Sequence, residues 1–382
     1  MSVYLDFNSS APIDNRVLDY MIEVYKTAYG NADSRTHTFG DAARQVVESA
    51  RKQVASILAI KSDEVFFTSG ATESNNIAIQ GLRDYAVQTG KRHIITSTIE
   101  HKAVLETVKH MEKEGFEVTW INPEIDGRVP AQKIKSAVRD DTLLVSLMHV
   151  NNETGIIQPV QEIGEFCSEK NVLFHIDATQ SFGKLIDELR ETKYDLLSMS
   201  AHKICGPQGV GALILRKKRY KLPPVKGIMF GGQQEHGIRP GTIPVALVAG
   251  LGKACEIAES EYLVQKETNQ YIKAMLLELL SQSGLEYAIN GAQEHCVSTT
   301  LNLSINGVSS EALMLSTKQF CGVSNGSACN SNSYEPSYVL AAMGIPTDQI
   351  ESAIRVSWGD QVKSDEVIHG FKNLLDVAKK LS

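Results

Sequence analysis

The tetrapeptide Ser200-Ala-His-Lys203 directly follows the apolar run Tyr194–Met199. A lysine at the end of a buried strand, with a hydroxyl and an imidazole beside it, suits covalent attachment of an aldehyde cofactor. Lysine amines form Schiff bases with carbonyls, and pyridoxal phosphate then serves as an electron sink for carbanion chemistry. Standing alone, such a lysine is more often a solvated charge. Further candidates fall after other β-rich runs. Ser69-Gly-Ala-Thr-Glu-Ser-Asn75 is a small-residue turn opening a helix. Its free N–H groups and the helix dipole favour a phosphate, with Thr72 adding a hydroxyl, although an ordinary helix cap reads the same way. Asp177-Ala-Thr-Gln180 follows Val172–Ile176. An aspartate there needs a cationic or donor partner to stay ionised, and a protonated pyridine nitrogen is one; a turn cap is the bland alternative. Gln180 is placed to bond the cofactor's phenolic oxygen or a nearby backbone group.

Asn152, in Asn151-Asn-Glu-Thr-Gly155, sits in a turn and is a candidate to orient an amino-acid carboxylate or the cofactor ring. Arg355, inside the apolar run Ala353-Ile-Arg-Val-Ser357, needs an anion: a bidentate carboxylate, or an internal ion pair. His101 opens a helix after a strand, where its ring would stack on a cofactor and shuttle protons. Cys329 lies in Ser324–Ser333, a run with almost no apolar side chains. That composition predicts an exposed loop, and an accessible thiol on a tether is what a group-transfer nucleophile requires.

The elements that must position these residues alternate along the chain. Asp41 is a candidate cap for a helix carrying Val46, Val47, Ala50, Val54 and Leu58. Strands are expected at Glu64–Thr68, His93–Ser97, Glu117–Ile121, Leu143–Val150, Val172–Ile176, Asp195–Met199 and Gly209–Leu215. Helices are expected at Thr72–Gln88, Ala103–Glu114 and Gln161–Lys170. Apolar strands separated by helices imply a mostly parallel sheet covered on both faces, with ligands outside the carboxyl ends of its strands. The Gly-rich segment Gly227–Gly241 breaks the pattern before a long helical region, Pro244–Ser283. A strand at Thr299–Leu303 and helices at Ser310–Thr317 and Asp365–Lys380 complete the reading. The expected division is a large α/β domain over 13–256 and a smaller α+β domain over 1–12 and 257–382, carrying the cysteine loop at about 322–333.

At 382 residues, with 42% hydrophobic and 22% charged residues, the composition is that of a globular protein. A net charge of −7 argues against direct nucleic-acid binding, though not against a partner that handles nucleic acid. The N-terminus lacks a signal peptide's pattern, and no run reaches the roughly 18 apolar residues of a membrane span, so a cytoplasmic protein is expected. The six cysteines (167, 205, 255, 296, 321, 329) show no C-x-x-C pair. Neither a disulfide framework nor a metal site is expected, and most of the six should be buried and inert.

The order and spacing of these motifs resemble the cysteine desulfurases, a branch of the fold type I, class V pyridoxal-phosphate enzymes. The similarity runs through YLDFNSSAP, YGNADSRTH, TSGATESNN, IEHKAV, HVNNETG, HIDATQ, SAHKICGPQGVG, GGQQEHGIRPGT, SNGSAC and EPSYVL. It implies a seven-stranded type of sheet, the cofactor pyridoxal 5'-phosphate and the substrate L-cysteine. Lys203 would bond the cofactor and Asp177 would pair with its ring nitrogen. His101 would stack over the ring and act in proton transfer, and Gln180 would contact the phenolate oxygen. Ala71, Thr72, Ser200 and His202 would hold the phosphate. Thr242 would reach the phosphate of the other subunit, implying a homodimer with shared sites. Asn152 and Arg355 would grip the substrate carboxylate. Cys329 would take the substrate sulfur as a persulfide, release alanine and pass the sulfur to an acceptor protein, and its surroundings are similar to the long-loop group. The resemblance leaves the pathway open among iron–sulfur assembly, tRNA thiolation and DNA phosphorothioation. Gln233, His236 and Pro240 depart from the family pattern of Gly, Arg and Ser, so local phosphate or dimer contacts are expected to differ. The short stretch after the last helix weakens, without removing, the expectation of a general iron–sulfur role and sets a specialised sulfur-supply role beside it. The competing readings are a selenocysteine lyase, another class V enzyme and a degenerate binding protein. The mobile thiol disfavours an aminotransferase, and joint retention of Lys203, Asp177, His101 and Cys329 disfavours a binding protein.

Overall fold

The computed structural model describes residues 2–326 and 336–382, so Cys329 and its neighbours from 327 to 335 lie outside the described residues. Seven strands form the main sheet. Their spatial order is Val65–Thr68, Gly211–Leu215, Leu196–Ser200, Leu173–Asp177, Thr142–Met148, His93–Ser97 and Glu117–Ile121. Only Gly211–Leu215 runs antiparallel to its neighbours; the remaining pairs are parallel. Alternation along each strand sends consecutive residues to opposite faces. Phe67, Ile95 and Val145 accordingly join one apolar cluster, while Phe66, Ile94 and Leu144 join another on the far side. Two buried faces explain why these strands read as unbroken apolar runs.

The Val245–Gln282 helix runs 38 residues and serves two cores. Val248, Leu251 and Ala254 pack on the main sheet's cluster, whereas Ile272, Leu276 and Leu280 belong to a separate one. That second core also holds Val3 and Leu5 from the N-terminus and Phe371 and Leu374 from the Ser364–Leu381 helix. Its small antiparallel sheet has the order Ala353–Ser357, Thr300–Ile305, Tyr287–Ile289. Val3–Tyr4 pairs in parallel with Cys321–Gly322. No described helix is long and apolar enough to cross a membrane.

Two expected boundaries are corrected. The helix expected over Thr72–Gln88 is two helices, Ala71–Gln80 and Arg83–Thr89. Gly81 marks the break, packed so tightly that a Cβ there would stand 2.5 Å from the Lys226 carbonyl oxygen. The helix assigned to an Asp41 cap begins at Thr38, where His37 Nδ1 accepts the Gly40 N–H. The Asn15–Thr27, Ala131–Ala137 and Ile186–Glu191 helices were not legible as such.

Candidate active site

The carboxyl ends of the parallel strands open onto a cavity of about 540 Å³. Among the described residues, every candidate site residue named from the sequence lines it except Thr242; Cys329 lies outside the described residues. Strand Leu196–Ser200 ends at Ser200 and turns through Ala201–Lys203 in a single 3-10 turn, which brings Lys203 round to the cavity. Its Nζ donates to the carbonyl oxygens of Asn8 and Ser9, at 2.6 Å each. His202 Nδ1 lies 3.2 Å from Ser10 Oγ, and burial, followed by the nearby Lys203 charge, pushes its pKa down to about 4.

Asp177 is the last residue of its strand and nearly buried. Asn75 Nδ2 donates to its Oδ2 at 2.8 Å, and the Thr179 N–H donates to its Oδ1 at 3.0 Å. These donors hold the carboxylate without a cation. Across the cavity, Gln180 Nε2 donates to the Asn8 carbonyl at 2.9 Å. The buried Gln180 Oε1 and Asn152 Oδ1 have no hydrogen-bond partner among the described residues. Unpaired buried acceptors are costly unless something else satisfies them.

One end of the cavity is the start of the Ala71–Gln80 helix, which no described side chain caps. Gly70 precedes it with φ +149° and ψ −179°, a conformation essentially reserved for glycine. Ala71, Thr72 and Ser200 line this end with small side chains. Uncapped N–H groups, small residues and a helix dipole together suit a phosphoryl group. Glu73 Oε2 takes the Ser69 N–H, and Arg239 Nε donates to Glu73 Oε1 at 3.1 Å.

His101 caps the Lys102–Lys113 helix by accepting the Ala103 N–H on Nδ1 at 3.1 Å. Its pKa is pushed down, mainly by burial, with Asp177 opposing and Lys203 adding to the effect. The neutral ring therefore keeps its proton on Nε2, the nitrogen the cap leaves available. Next to it, Glu100 is fully buried and accepts from Ser97 Oγ at 2.5 Å. Burial raises its pKa from 4.5 to about 8. The folded chain thus holds a proton that the unfolded chain sheds above pH 4.5, so stability falls as pH rises toward 8. Glu100→Gln is expected to melt higher than the parent, with the gain growing from pH 4.5 and levelling near 8. Melting curves against pH check this, and a pH-independent difference would contradict it.

Arg355 makes the internal ion pair, one of the two alternatives the sequence left open. Its Nη2 donates to Asp6 Oδ1 at 2.6 Å and Ser9 Oγ at 2.8 Å, and Nη1 donates to the Asn152 carbonyl at 2.8 Å. Beyond that pair, Arg355 lines the cavity, and its buried Nε has no partner among the described residues. Thr242 is exposed and outside its own chain's cavity. Burial pushes up all five described cysteine thiols, with Cys167, Cys205 and Cys321 reaching about 12. A second cavity of about 470 Å³ also reaches Lys203 but gathers none of the other candidates. Among the described residues no group of three His, Cys, Asp or Glu is placed to hold a metal ion.

The departing segment is locally well tied. Glu235 is buried, pairs with Arg51 at 2.7 Å and accepts the Phe67 N–H at 2.8 Å. Sequence reasoning missed Asn8, Asn75 and Asp6, whose contacts converge on Lys203, Asp177 and Arg355. Both YLDFNSSAP and TSGATESNN contain them, but nothing local assigns them a partner.

The class V aminotransferase family model matches residues 3–369. A curated protein of Pasteurella multocida (strain Pm70), named cysteine desulfurase IscS, is 43% identical over 385 aligned residues, covering 100% of this chain and 94% of that one. The chain belongs to the class V cysteine desulfurases. A solved NifS-like protein superposes on this desulfurase with a TM-score of 0.90 at 35% identity, covering both chains fully. A structure described as SspA in complex with cysteine gives a TM-score of 0.81 at 34% identity, over 93% of this chain and 98% of that one. Enzymes of this family depend on pyridoxal 5'-phosphate. The residues here fit that group: an amine at Lys203, a carboxylate at Asp177 and an uncapped helix start for its phosphate.

Proposed function

We propose that this desulfurase converts L-cysteine to L-alanine and takes the sulfur onto Cys329 as a persulfide. The observation that carries the reading is the convergence of Lys203, Asp177, His101 and Arg355 on one cavity. Lys203 would hold the cofactor's aldehyde carbon and, once displaced by the substrate amine, move the α-proton. Asp177 would hold the proton on the ring nitrogen. Ala71, Thr72, Ser200 and His202 would seat the phosphate. The bound cofactor supplies the electron sink that makes bonds at the substrate's α-carbon labile. His101, neutral and protonated on Nε2, would stack on the ring and donate or return a proton there. Arg355 and Asn152 would fix the substrate carboxylate.

The step at Cys329 balances without an added oxidant. The substrate C–S bond breaks, an S–S bond forms on the thiol, and the carbon gains the hydrogen that completes alanine. Gly326, three residues before Cys329 in the sequence, lines the cavity. Purified protein incubated with L-cysteine and a thiol reductant should yield alanine catalytically; a cofactor-loaded protein that yields none contradicts the reading. Arg355→Leu is expected to raise KM for cysteine about 10–100-fold, the worth of hydrogen bonds to a charged group. An unchanged KM would remove Arg355 from the substrate contacts.

A homodimer with Thr242 reaching the partner's phosphate site is part of the proposal. In support, Phe230 is 98% exposed beside the RPGT segment, and Ile22, Tyr25, Tyr29 and Phe39 form further exposed apolar surface. Such patches mark interfaces. Phe230→Glu should shift the sedimentation mass toward a monomer and weaken cofactor retention; a stable dimer with full retention argues against this surface. The persulfide would pass to an acceptor protein. The division into domains at residues 12–13 and 256–257 is likewise proposed, supported by the change of apolar cluster along the Val245–Gln282 helix.

A further inference from the structure

We propose that Glu153 is a positioning residue for sulfur transfer, because its one carboxylate ties together the two places where the Cys329 segment joins the rest of the fold. The inference rests on Cys329 being the sulfur-accepting thiol.

Glu153 belongs to the turn after the Thr142–Met148 strand, and both ends of its backbone are fixed. Asn151 Oδ1 accepts the N–H groups of Glu153 and Thr154 at 2.9 Å each, which locks the turn to the main sheet. Asn302 Nδ2, on the central strand of the small sheet, donates to the Glu153 carbonyl at 3.1 Å. The residue is therefore a joint between the two sheets. Its side chain is buried, with 1% of the residue exposed.

On one side, Ser337 Oγ donates to Glu153 Oε2 at 2.5 Å. The same Oγ accepts the Leu340 N–H at 3.1 Å and so caps the Tyr338–Ala342 helix. A serine hydroxyl has one proton, and here it is committed to Glu153. On the other side, Gly326 packs directly on the carboxylate. A Cβ at Gly326 would stand 2.8 Å from Glu153 Oε2 and 3.2 Å from Cδ, and φ is +87°. Only glycine satisfies both demands. Gly326 is in turn joined to the substrate side of the cavity. Its N–H donates to Ser324 Oγ at 3.1 Å, and Ser324 exchanges backbone hydrogen bonds with Arg355 at 3.2 and 2.5 Å. The chain that carries Cys329 thus departs and returns at one buried side chain, adjacent to Asn152 and one hydrogen-bonded step from Arg355.

Glu153 holds Gly326 and Ser337, which flank residues 327–335, and in a group transfer an ångström of misplacement costs on the order of 100-fold. Glutamine keeps the shape of the Glu153 side chain and still accepts from Ser337, so it is the conservative replacement.

The test compares Glu153→Ala, Glu153→Gln, Ser337→Ala and the Glu153→Ala/Ser337→Ala double variant as cofactor-loaded holoenzymes. Three quantities are read: the spectral change on adding L-cysteine, the rate of alanine release, and the persulfide on Cys329 by mass spectrometry after a single turnover. Glu153→Ala and Ser337→Ala should lower alanine release and persulfide formation about 10–100-fold while KM and the cysteine-induced spectral change stay within about twofold. Glu153→Gln should stay within about threefold of the parent, and the double variant should be no worse than the poorer single, as two halves of one contact require. If Glu153→Ala fails to load cofactor, Ser337→Ala carries the same comparison from the other partner. Parent-like alanine release in the alanine variants overturns the inference. So does a glutamine variant as slow as alanine, or losses that add. Cys329→Ser separates the two readings. If it turns over like the parent, the Cys329 assignment fails; if it is inactive while Glu153→Ala and Ser337→Ala are parent-like, only the role of Glu153 fails.

Discussion

Lys203→Ala is expected to yield a protein without a covalently held cofactor and to lower alanine formation by at least about 10³-fold, the scale of losing a positioned proton-transfer group. Among the described residues that line the cavity, Lys203 is the one lysine; Arg355 carries a guanidinium whose contacts to Asp6, Ser9 and Asn152 are already made. The fold should survive the change. Asn8, whose carbonyl loses the Lys203 Nζ, still receives Gln180 Nε2 at that oxygen, and its own N–H and side chain remain bonded to Ser357 and Thr300. Absorption spectra before and after dialysis, together with alanine release, provide the measurement. A Lys203→Ala protein that keeps its cofactor band through dialysis and turns over normally would displace Lys203 from the centre of the site.

Cys329→Ser is expected to do the reverse. It should load cofactor and respond spectrally to L-cysteine as the parent does, yet release alanine about 10²–10⁴-fold more slowly. A hydroxyl is a poor nucleophile toward sulfur, and the persulfide needs a thiolate. No other described cysteine can stand in, because burial raises all five thiols and none of the five lines the cavity. Alanine release at the parent rate would end the persulfide assignment.

What the sequence made legible was whatever acts close to its own strand. Lys203, Asp177, Asn152 and His101 each follow an apolar run, and parallel strands deliver their ends to one edge of the sheet. Gly70 and Thr72 could be read because a helix start is a local event. The partners that hold these groups could not. Asn8 meets Lys203 across 195 residues, Asn75 meets Asp177 across 102, and Ser337 meets Glu153 across 184. No periodicity or turn rule encodes such pairings. The break at Gly81 was missed for a related reason, since the obstacle is the backbone of Lys226 and lies nowhere near in sequence. His37 was passed over as a cap because a ring nitrogen takes the place that Ser, Thr, Asp or Asn more often fills.

The bond between Asp6 and Arg355 joins residues 349 positions apart, and the Val3–Tyr4 strand waits for Cys321–Gly322. During synthesis the first residues of the chain therefore emerge long before the segments they must meet. At about 5–20 residues per second, tens of seconds of translation can pass between the two. The main sheet and its Lys203 turn are made within that interval, while the arginine side of the cavity is still missing. A nascent chain stopped near residue 320 would hold the Lys203 turn and Asn152 and still lack the strand that carries Arg355. Completion of the catalytic centre is consequently tied to completion of the polypeptide.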